Sequence, residues 1–549
     1  MTFSFELFKI SDIIVTLFLI TILYLAKFYY KYFTRLNPLP GPIPLPIFGN
    51  LLNKSGEFDE WMLKLHERYG DIFEITMLGN RRVVLCRGEY VENMMKSSTK
   101  SLYLRRFPFT KDLKDLRMSN KGIVNNIEIN SWKYNRKFFS QAILAPSFAD
   151  EALNWAHKLF YEMESYWKGI GFNTSTDYSA WMHRFTNDMI IVLITGKRIY
   201  SLPSYYNTLS EKKSDIPITL IEDSEEFIES IQSTTVGLAF FLYTPAIVRR
   251  YLPYFKQRQN KLLKKRDFFL NKIDQIIKKR REEIEKTPLE EPLRHDMLTS
   301  FITANTPRDI NKTKIAEEEF LSPMTDEDIG GNIKDAFIGG TDTTANSLCF
   351  IAYYLENYPQ VKEKFHQELY RVFGSDTTRR VTHEDLDKLE YTEAVIYEVS
   401  RVKPVVNMVS RYSSGPDEIA GYKWPKNTLF NVSFKAMNYH KDHWKDPKKF
   451  DPERFLKKDE KRPKATFNIW GGGLRICPGR KLAMIELKFL LASIYRKYDV
   501  ELVNKNEPLK SKSTAVTVCQ ELMFLRTTGF SIIIQLTSPF DTEASRDLV

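Results

Sequence analysis

The apolar positions of this chain change rhythm several times, and each rhythm predicts an element. From Ile13 to Ala26 only Thr16, Thr21 and Tyr24 interrupt an apolar run, and aromatic residues continue through Phe33. With its flanks the run reaches about 20 residues, enough for a helix to cross a hydrocarbon core of about 30 Å. Asn37 to Asn50 (NPLPGPIPLPIFGN) follows, and its five prolines stop the helix and favour an extended, semi-rigid spacer. Residues 58 to 69 (FDEWMLKLHERY) read as a helix; DIFEITML and RRVVLCR, on either side of Gly79-Asn80, read as a hairpin. From Asp150 to Lys286 the pattern is predominantly helical. Within it Leu262, Phe269, Ile273, Ile276 and Ile277 recur at helical spacing among clustered lysines and arginines, as on a solvated helix face. Lys286 to Pro323 is polar and mixed and reads as a surface insertion.

Thr325 and Asp328 then form a T-x-x-D capping box. The helix it opens runs from Asp326 to about Asn357, ~48 Å at 1.5 Å per residue, with Pro359 just past its end. YTEAVIYEVSR (391–401) predicts another helix. VKPVVNMVSR turns at Pro404 into an extended segment ending at Arg411, and KLAMIELKFLLASIYRKY, from Lys481, is helical again. A length of 549 residues suggests three or four domains at about 150 each. No stretch after Asn50 resembles a flexible linker, however, so the pattern predicts an anchor (1–36), a hinge (37–50) and one large domain (51–549).

Composition narrows the function classes. The net charge of +11 admits nucleic acid, an anionic membrane or an acidic protein as partner. No zinc-finger spacing or RNP-type aromatic motif supports nucleic acid. Lys27, Lys31 and Arg35 follow the apolar run and Glu6, Lys9 and Asp12 precede it. The positive-inside bias therefore puts the amino terminus across the membrane and the bulk of the chain in the cytosol, with Tyr24, Tyr29, Tyr30 and Tyr32 as an interfacial belt. A cleaved signal peptide is the competing reading, but the segment lacks a positive n-region and an A-x-A-like site. Cys86, Cys349, Cys477 and Cys519 are scattered, which fits a reducing compartment. The sequons at Asn53, Asn173, Asn311 and Asn431 matter only for a luminal domain.

Candidate chemistry concentrates in FNIWGGGLRICPGR, Phe467 to Arg480. Its glycines permit close backbone approach, and Cys477 sits just before a helix, where free N–H groups and the dipole favour a thiolate. One cysteine cannot make a structural zinc site, whereas a haem iron takes one axial protein ligand. A buried cysteine in a glycine-rich turn is the plain alternative. In the long helix, IGGTDTTA (338–345) is a run of poor helix formers, so the sequence weakens the helix there. Asp342 beside Thr343 places a carboxylate next to a hydroxyl, the parts of a proton relay, unless the glycines merely serve a helix crossing. Trp132 and Arg136 share a helix face and can grip a carboxylate, or simply stack. Glu398 and Arg401 are an i, i+3 pair, worth a few tenths of a kcal/mol if exposed.

Together these elements resemble the cytochrome P-450 superfamily of haem–thiolate monooxygenases, microsomal eukaryotic type. The resemblance runs from the anchor to the last strands and is densest from Met324 to Leu491. Gly473, Arg475, Cys477 and Gly479 match F-x-x-G-x-R-x-C-x-G, with Trp470 where the family has Phe. GGTDTT resembles the oxygen-activating helix, Glu398 and Arg401 match E-x-x-R, FDPERF supplies Arg454, and Trp132 and Arg136 match W-x-x-x-R. The resemblance implies a mainly α fold with small β-sheets, a triangular-prism helical domain behind an N-terminal transmembrane helix. It implies haem b with Cys477 as the axial ligand of the iron, and Trp132, Arg136, Arg475 and Arg411 on the propionates. Asp342 and Thr343 would deliver protons, and Glu398, Arg401 and Arg454 would lock the fold.

The implied reaction inserts one oxygen atom from O2 into a lipophilic small molecule, the thiolate favouring O–O cleavage. The chain has no flavin or nicotinamide fingerprint, so the expected electron source is an NADPH-dependent flavoprotein reductase in the same endoplasmic reticulum membrane. It would dock on basic residues including Lys133, Arg480 and Lys481. By analogy the pocket is lined by the segment near 105–125, the middle of the long helix, Val405 to Val409 and a turn at 519–526. Val405, Val406, Met408 and Val409 suit a lipophilic substrate; Arg105-Arg106 would greet an acid such as a fatty acid, or be solvated surface. A family isomerase, dehydratase or peroxygenase needs no reductase, but such enzymes often lack the acid–alcohol pair. A membrane haem protein without turnover is the alternative from another class.

Overall fold

The computed structural model describes residues 10–77, 79–106, 115–117, 121–171, 174–311, 322–457, 464–505, 507–513 and 516–528. Glu6, Lys9, Asn173, residues 107–114 and 118–120 of the expected pocket segment, and 312–321 of the expected insertion lie outside them. The architecture is mainly helical with small sheets. The four-stranded sheet has the order Ile72–Met77, Asn80–Leu85, Leu429–Ser433, Met408–Tyr412. The first and last pairs are antiparallel and the middle pair is parallel. The hairpin expected about Gly79-Asn80 is its outer pair, with Met77 opposite Asn80. A second sheet joins Thr176–Asp177, Met523–Thr528 and Tyr498–Leu502.

The apolar run forms one helix, Ile10–Phe33, with its side chains mostly exposed and a mean hydropathy of 2.0 over its most apolar window. It is long and apolar enough to cross a membrane. Its exit is latched to the sheet. The buried Glu74 carboxylate lies between Arg35 and Arg81, and Arg81 also donates to the Leu36 and Asn37 carbonyls. The proline spacer continues along the strand Ile72–Met77, where the Glu74 N–H donates to the Pro40 carbonyl at 2.9 Å. Buried Asn50 closes the spacer, taking the Thr76 N–H at 2.7 Å and donating to the Pro42 carbonyl at 2.9 Å. The spacer is thus packed against the sheet.

The helix Asp326–Asn357 (32 residues) is the spine. Its Thr325 cap accepts the Asp328 N–H at 3.2 Å. The Asp328 carboxylate takes the Thr325 hydroxyl, not the backbone N–H that a full capping box uses. The spine reaches out along its whole length: Asn332 to Asn135, Asp335 to the Ile123 and Val124 N–H groups, and Asn346 to the Cys519 N–H. The surface insertion expected over 286–323 is corrected in part. Met297–Thr303 is a helix with every residue buried, and Met297, Leu298, Phe301 and Ile302 belong to the main core. Four apolar side chains at i, i+1, i+4 and i+5 were enough to dock it.

Glu398 and Arg401 are not an exposed pair; both side chains are 0% exposed. Arg401 donates to both Glu398 oxygens at 2.7 and 2.8 Å and to the carbonyls of Asn438, Pro447 and Lys449. Arg454 adds a donor to Glu398 at 3.2 Å and bonds to the Lys445 and Lys449 carbonyls. One carboxylate thus bridges two buried guanidiniums that pin the 438–454 loop. Glu398→Ala is expected to cost about 3–5 kcal/mol, because it leaves two buried cations uncompensated. Chemical denaturation checks this, and a loss within the range of an exposed pair would refute it.

Candidate functional site

The cysteine loop is shaped by its neighbours. Gly473 has φ +63° and a Cβ there would lie 2.8 Å from the Lys96 carbonyl, so glycine is required where the loop crosses the end of helix Gly88–Met95. The Cys477 N–H donates to the Trp470 carbonyl at 2.8 Å, closing the loop on the aromatic residue seven positions earlier. The Trp470 indole nitrogen is buried with no hydrogen-bond partner. Gly479 caps the helix Arg480–Tyr495, and its N–H reaches the Cys477 sulfur. That bond and the Arg136, Arg106 and Arg480 charges favour the thiolate, but burial outweighs them and holds the thiol up. The helix terminus alone therefore does not produce the thiolate expected from sequence; a coordinating metal would.

Arg475 is buried with all three guanidinium nitrogens on backbone: Leu104 at 2.8 Å, Ile123 at 2.8 Å and Asn126 at 3.0 Å. Its guanidinium stacks 4.0 Å over the Trp132 ring. The Trp132 indole N–H donates to the same Ile123 carbonyl at 3.2 Å, and Arg136 donates to the Ile476 carbonyl at 2.7 Å. The indole is thus a platform under Arg475, while Arg136 reaches the cysteine loop. Arg411, on the sheet strand Met408–Tyr412, is buried beside them, and Arg106 donates to the Arg475 carbonyl at 3.2 Å. The sequence admits Arg106 as a partner for a substrate acid or as solvated surface, and no local signal points to this contact.

Among the described residues no carboxylate bonds to any of these four guanidiniums. Burial pushes Arg136 down to about 10. Burial and then the Arg106 charge push Arg411 down to about 9. Burial and then Arg106, Arg411 and Arg136 push Arg475 down to about 7. The Nε atoms of Arg106 and Arg411 are buried without partners. Such a cluster calls for a dianion, and a haem with two propionates and one open axial position meets both it and Cys477.

The spine carries the other candidate residues. It is helical throughout IGGTDTTA, so the weakening expected there produces no break. The two glycines have different reasons. A Cβ on Gly340 would come within 2.5 Å of Ile190 on the crossing helix Tyr178–Thr195, whereas one on Gly339 would meet nothing within 4 Å. Gly339 is exposed in the middle of a buried helix, with Thr343 and Ser347 half-exposed one and two turns on. The Thr343 hydroxyl donates to the Gly339 carbonyl at 2.7 Å, leaving its oxygen an acceptor on this open face. Asp342 is buried on the opposite side, toward His183, a neighbour the sequence gave no reason to single out. Among the described residues no hydrogen bond or ion pair joins Asp342 or Thr343 to the cysteine loop. Val405 and Val406 pair with Thr517 and Val516. The turn expected at 519–526 is confined to 520–522, since Thr517–Cys519 and Met523–Thr528 are strands.

A family model described as Cytochrome P-450 matches residues 39–525. The chain is 26% identical over 500 residues to cytochrome P-450 2E1 of Oryctolagus cuniculus, spanning 87% of this chain and 90% of that one. It is 28% identical over 521 residues to cytochrome P-450 1A1 of Opsanus tau, with 91% and 92% covered. It is 24% identical over 468 residues to a steroid 17-alpha-hydroxylase/17,20 lyase of Ictalurus punctatus, with 83% and 84% covered.

Replacing Arg411 with Leu separates holding a dianion from holding the fold. Haem transfer to an excess of a scavenger protein is expected to accelerate about 10- to 100-fold, the worth of one charge-assisted bond of about 1.5–3 kcal/mol. The unfolding midpoint of the apoprotein is expected not to fall, because a like charge leaves the cluster. Unchanged haem retention would remove Arg411 from the site.

Proposed function

The chain belongs to the cytochrome P-450 family, and from that premise we propose that Cys477, the four-arginine cluster and the open face of the spine hold and serve its haem. It is an oxidoreductase, a monooxygenase of that family. The observation that carries the site reading is the cluster of buried Arg411 and Arg475 with half-buried Arg106 and Arg136 beside the Gly479-bonded sulfur. Arg136, Arg411 and Arg106 would hold the propionates, Arg475 and Trp132 would brace the loop, and Cys477 would be the axial ligand. When bound, a thiolate-ligated haem supplies the reductive cleavage of O2 and the insertion of one oxygen atom into a C–H bond.

The chain's own residues bind, exclude and move protons. Thr343 presents its hydroxyl oxygen to the open face, where it can take a hydrogen bond from water. Asp342, one residue earlier and buried, holds the next proton on the other side of the helix. Val405, Val406, Met408 and Val409, the first two beside the strand Thr517–Cys519, favour a lipophilic small molecule, as does the likeness to a steroid 17-alpha-hydroxylase/17,20 lyase. Electrons would come from an NADPH-dependent flavoprotein reductase. Exposed Arg480 and Lys481, with half-exposed Lys133, offer it a basic surface next to Cys477. The helix Ile10–Phe33 would anchor the protein in the endoplasmic reticulum membrane with residues 51–549 as one cytosolic domain, and the latched 37–50 spacer would set its tilt.

The reduced carbon-monoxide difference spectrum tests the axial ligand. Wild type is expected to give the thiolate-type band and Cys477→Ala none; a band of that type in the variant would sink the assignment. With reductase and NADPH, Thr343→Ala is expected to lose roughly tenfold in product per NADPH, with peroxide rising in its place. Unaltered product yield would take Thr343 out of the relay.

A further inference from the structure

One face of the crossing helix Tyr178–Thr195 grips three consecutive residues of the spine. Ile190 packs on Gly340, where any Cβ would clash. Thr186 donates its hydroxyl to the Thr341 carbonyl at 2.8 Å. His183 sets its Nδ1 3.3 Å from Asp342 Oδ1, both side chains being 8% exposed. Positions 183, 186 and 190 share one helix face, so the three contacts form a single register.

The third contact differs in kind. The His183 and Asp342 atoms are close but not aligned, and neither makes a hydrogen bond. A buried carboxylate needs a counter-charge, and among the described residues Asp342 has only this one. The charged groups on elements packed around the crossing helix are committed elsewhere. Glu162 and Asp188 pair with Arg198, Glu164 with Lys497, Glu225 with Arg184 and Asp296 with Arg280, and Arg526 stacks on Trp167. A lysine or arginine at 183 would clamp Asp342 as a permanent anion. An imidazole can be a charged partner or a neutral donor, so it holds the carboxylate while leaving it free to take and release a proton.

We propose that His183 is a positioning residue that tethers Asp342 against the crossing helix and keeps it able to cycle as the proton carrier behind Thr343. The proposal rests on the monooxygenase reading above. In the holoenzyme with reductase and substrate, His183→Leu is expected to lower product per NADPH roughly tenfold, with hydrogen peroxide rising and the carbon-monoxide difference spectrum full. His183→Asn, which keeps a donor near the Nδ1 position, is expected to recover product yield to within about threefold of wild type. In an Asp342→Asn background His183→Leu causes no further loss, because the two residues act as one unit. Equal losses in both backgrounds, or no loss from His183→Leu, overturn the proposal. If the wild type binds haem and substrate but forms no product, the monooxygenase reading falls and the tether is decided on thermal unfolding of the wild type, His183→Leu, Asp342→Asn and the double variant. Non-additive shifts uphold it and additive shifts overturn it.

Discussion

A guanidinium buried in protein must find an anion or a set of carbonyls, and this molecule answers that demand in two ways. At Glu398 one carboxylate bridges Arg401 and Arg454, and backbone carbonyls take most of the remaining donors, so the 438–454 loop is pinned by partners within the chain. Beside Cys477 four guanidiniums bond to carbonyls, with the buried Asp335 carboxylate near Arg106 and Arg475. Burial depresses all four, and repulsion from neighbouring arginines adds to it at Arg136, Arg411 and Arg475. The first arrangement is complete within the chain. On the proposed reading a bound dianion would complete the second, so the same chemistry would be structural in one place and a binding site in the other.

The spine connects these regions because it is continuous. Its weak stretch survives as helix for tertiary reasons: Gly340 lets the crossing helix approach, and Thr186 and Thr343 place hydroxyls on the Thr341 and Gly339 carbonyls. Packing thus overrides propensity where propensity is lowest. The same compromise leaves Gly339, Thr343 and Ser347 without cover on one face and Asp342 buried on the other.

Much was legible from local pattern. The 58–69 helix, the hairpin at Gly79-Asn80, the spine from Asp326 to Asn357 and the helix after Cys477 follow from periodicity, caps and turn residues, which act within a few positions. Burial was not legible. Glu398 and Arg401 read as a surface pair because their spacing is the same exposed or buried, and Met297–Thr303 read as insertion because four apolar residues among polar flanks make a weak signal.

By itself the sequence determined which elements form and, through the spacing of Trp470, Gly473, Arg475, Cys477 and Gly479, that one cysteine sits in a loop suited to a single axial ligand. Only the tertiary structure decided which side chains face one another. It put Arg106 on the Arg475 carbonyl, set the Trp132 indole N–H on the Ile123 carbonyl and brought His183 to Asp342 from 159 positions away. Those choices depend on helix crossings and on competition among buried charges for few partners, and neither leaves a local mark on the chain.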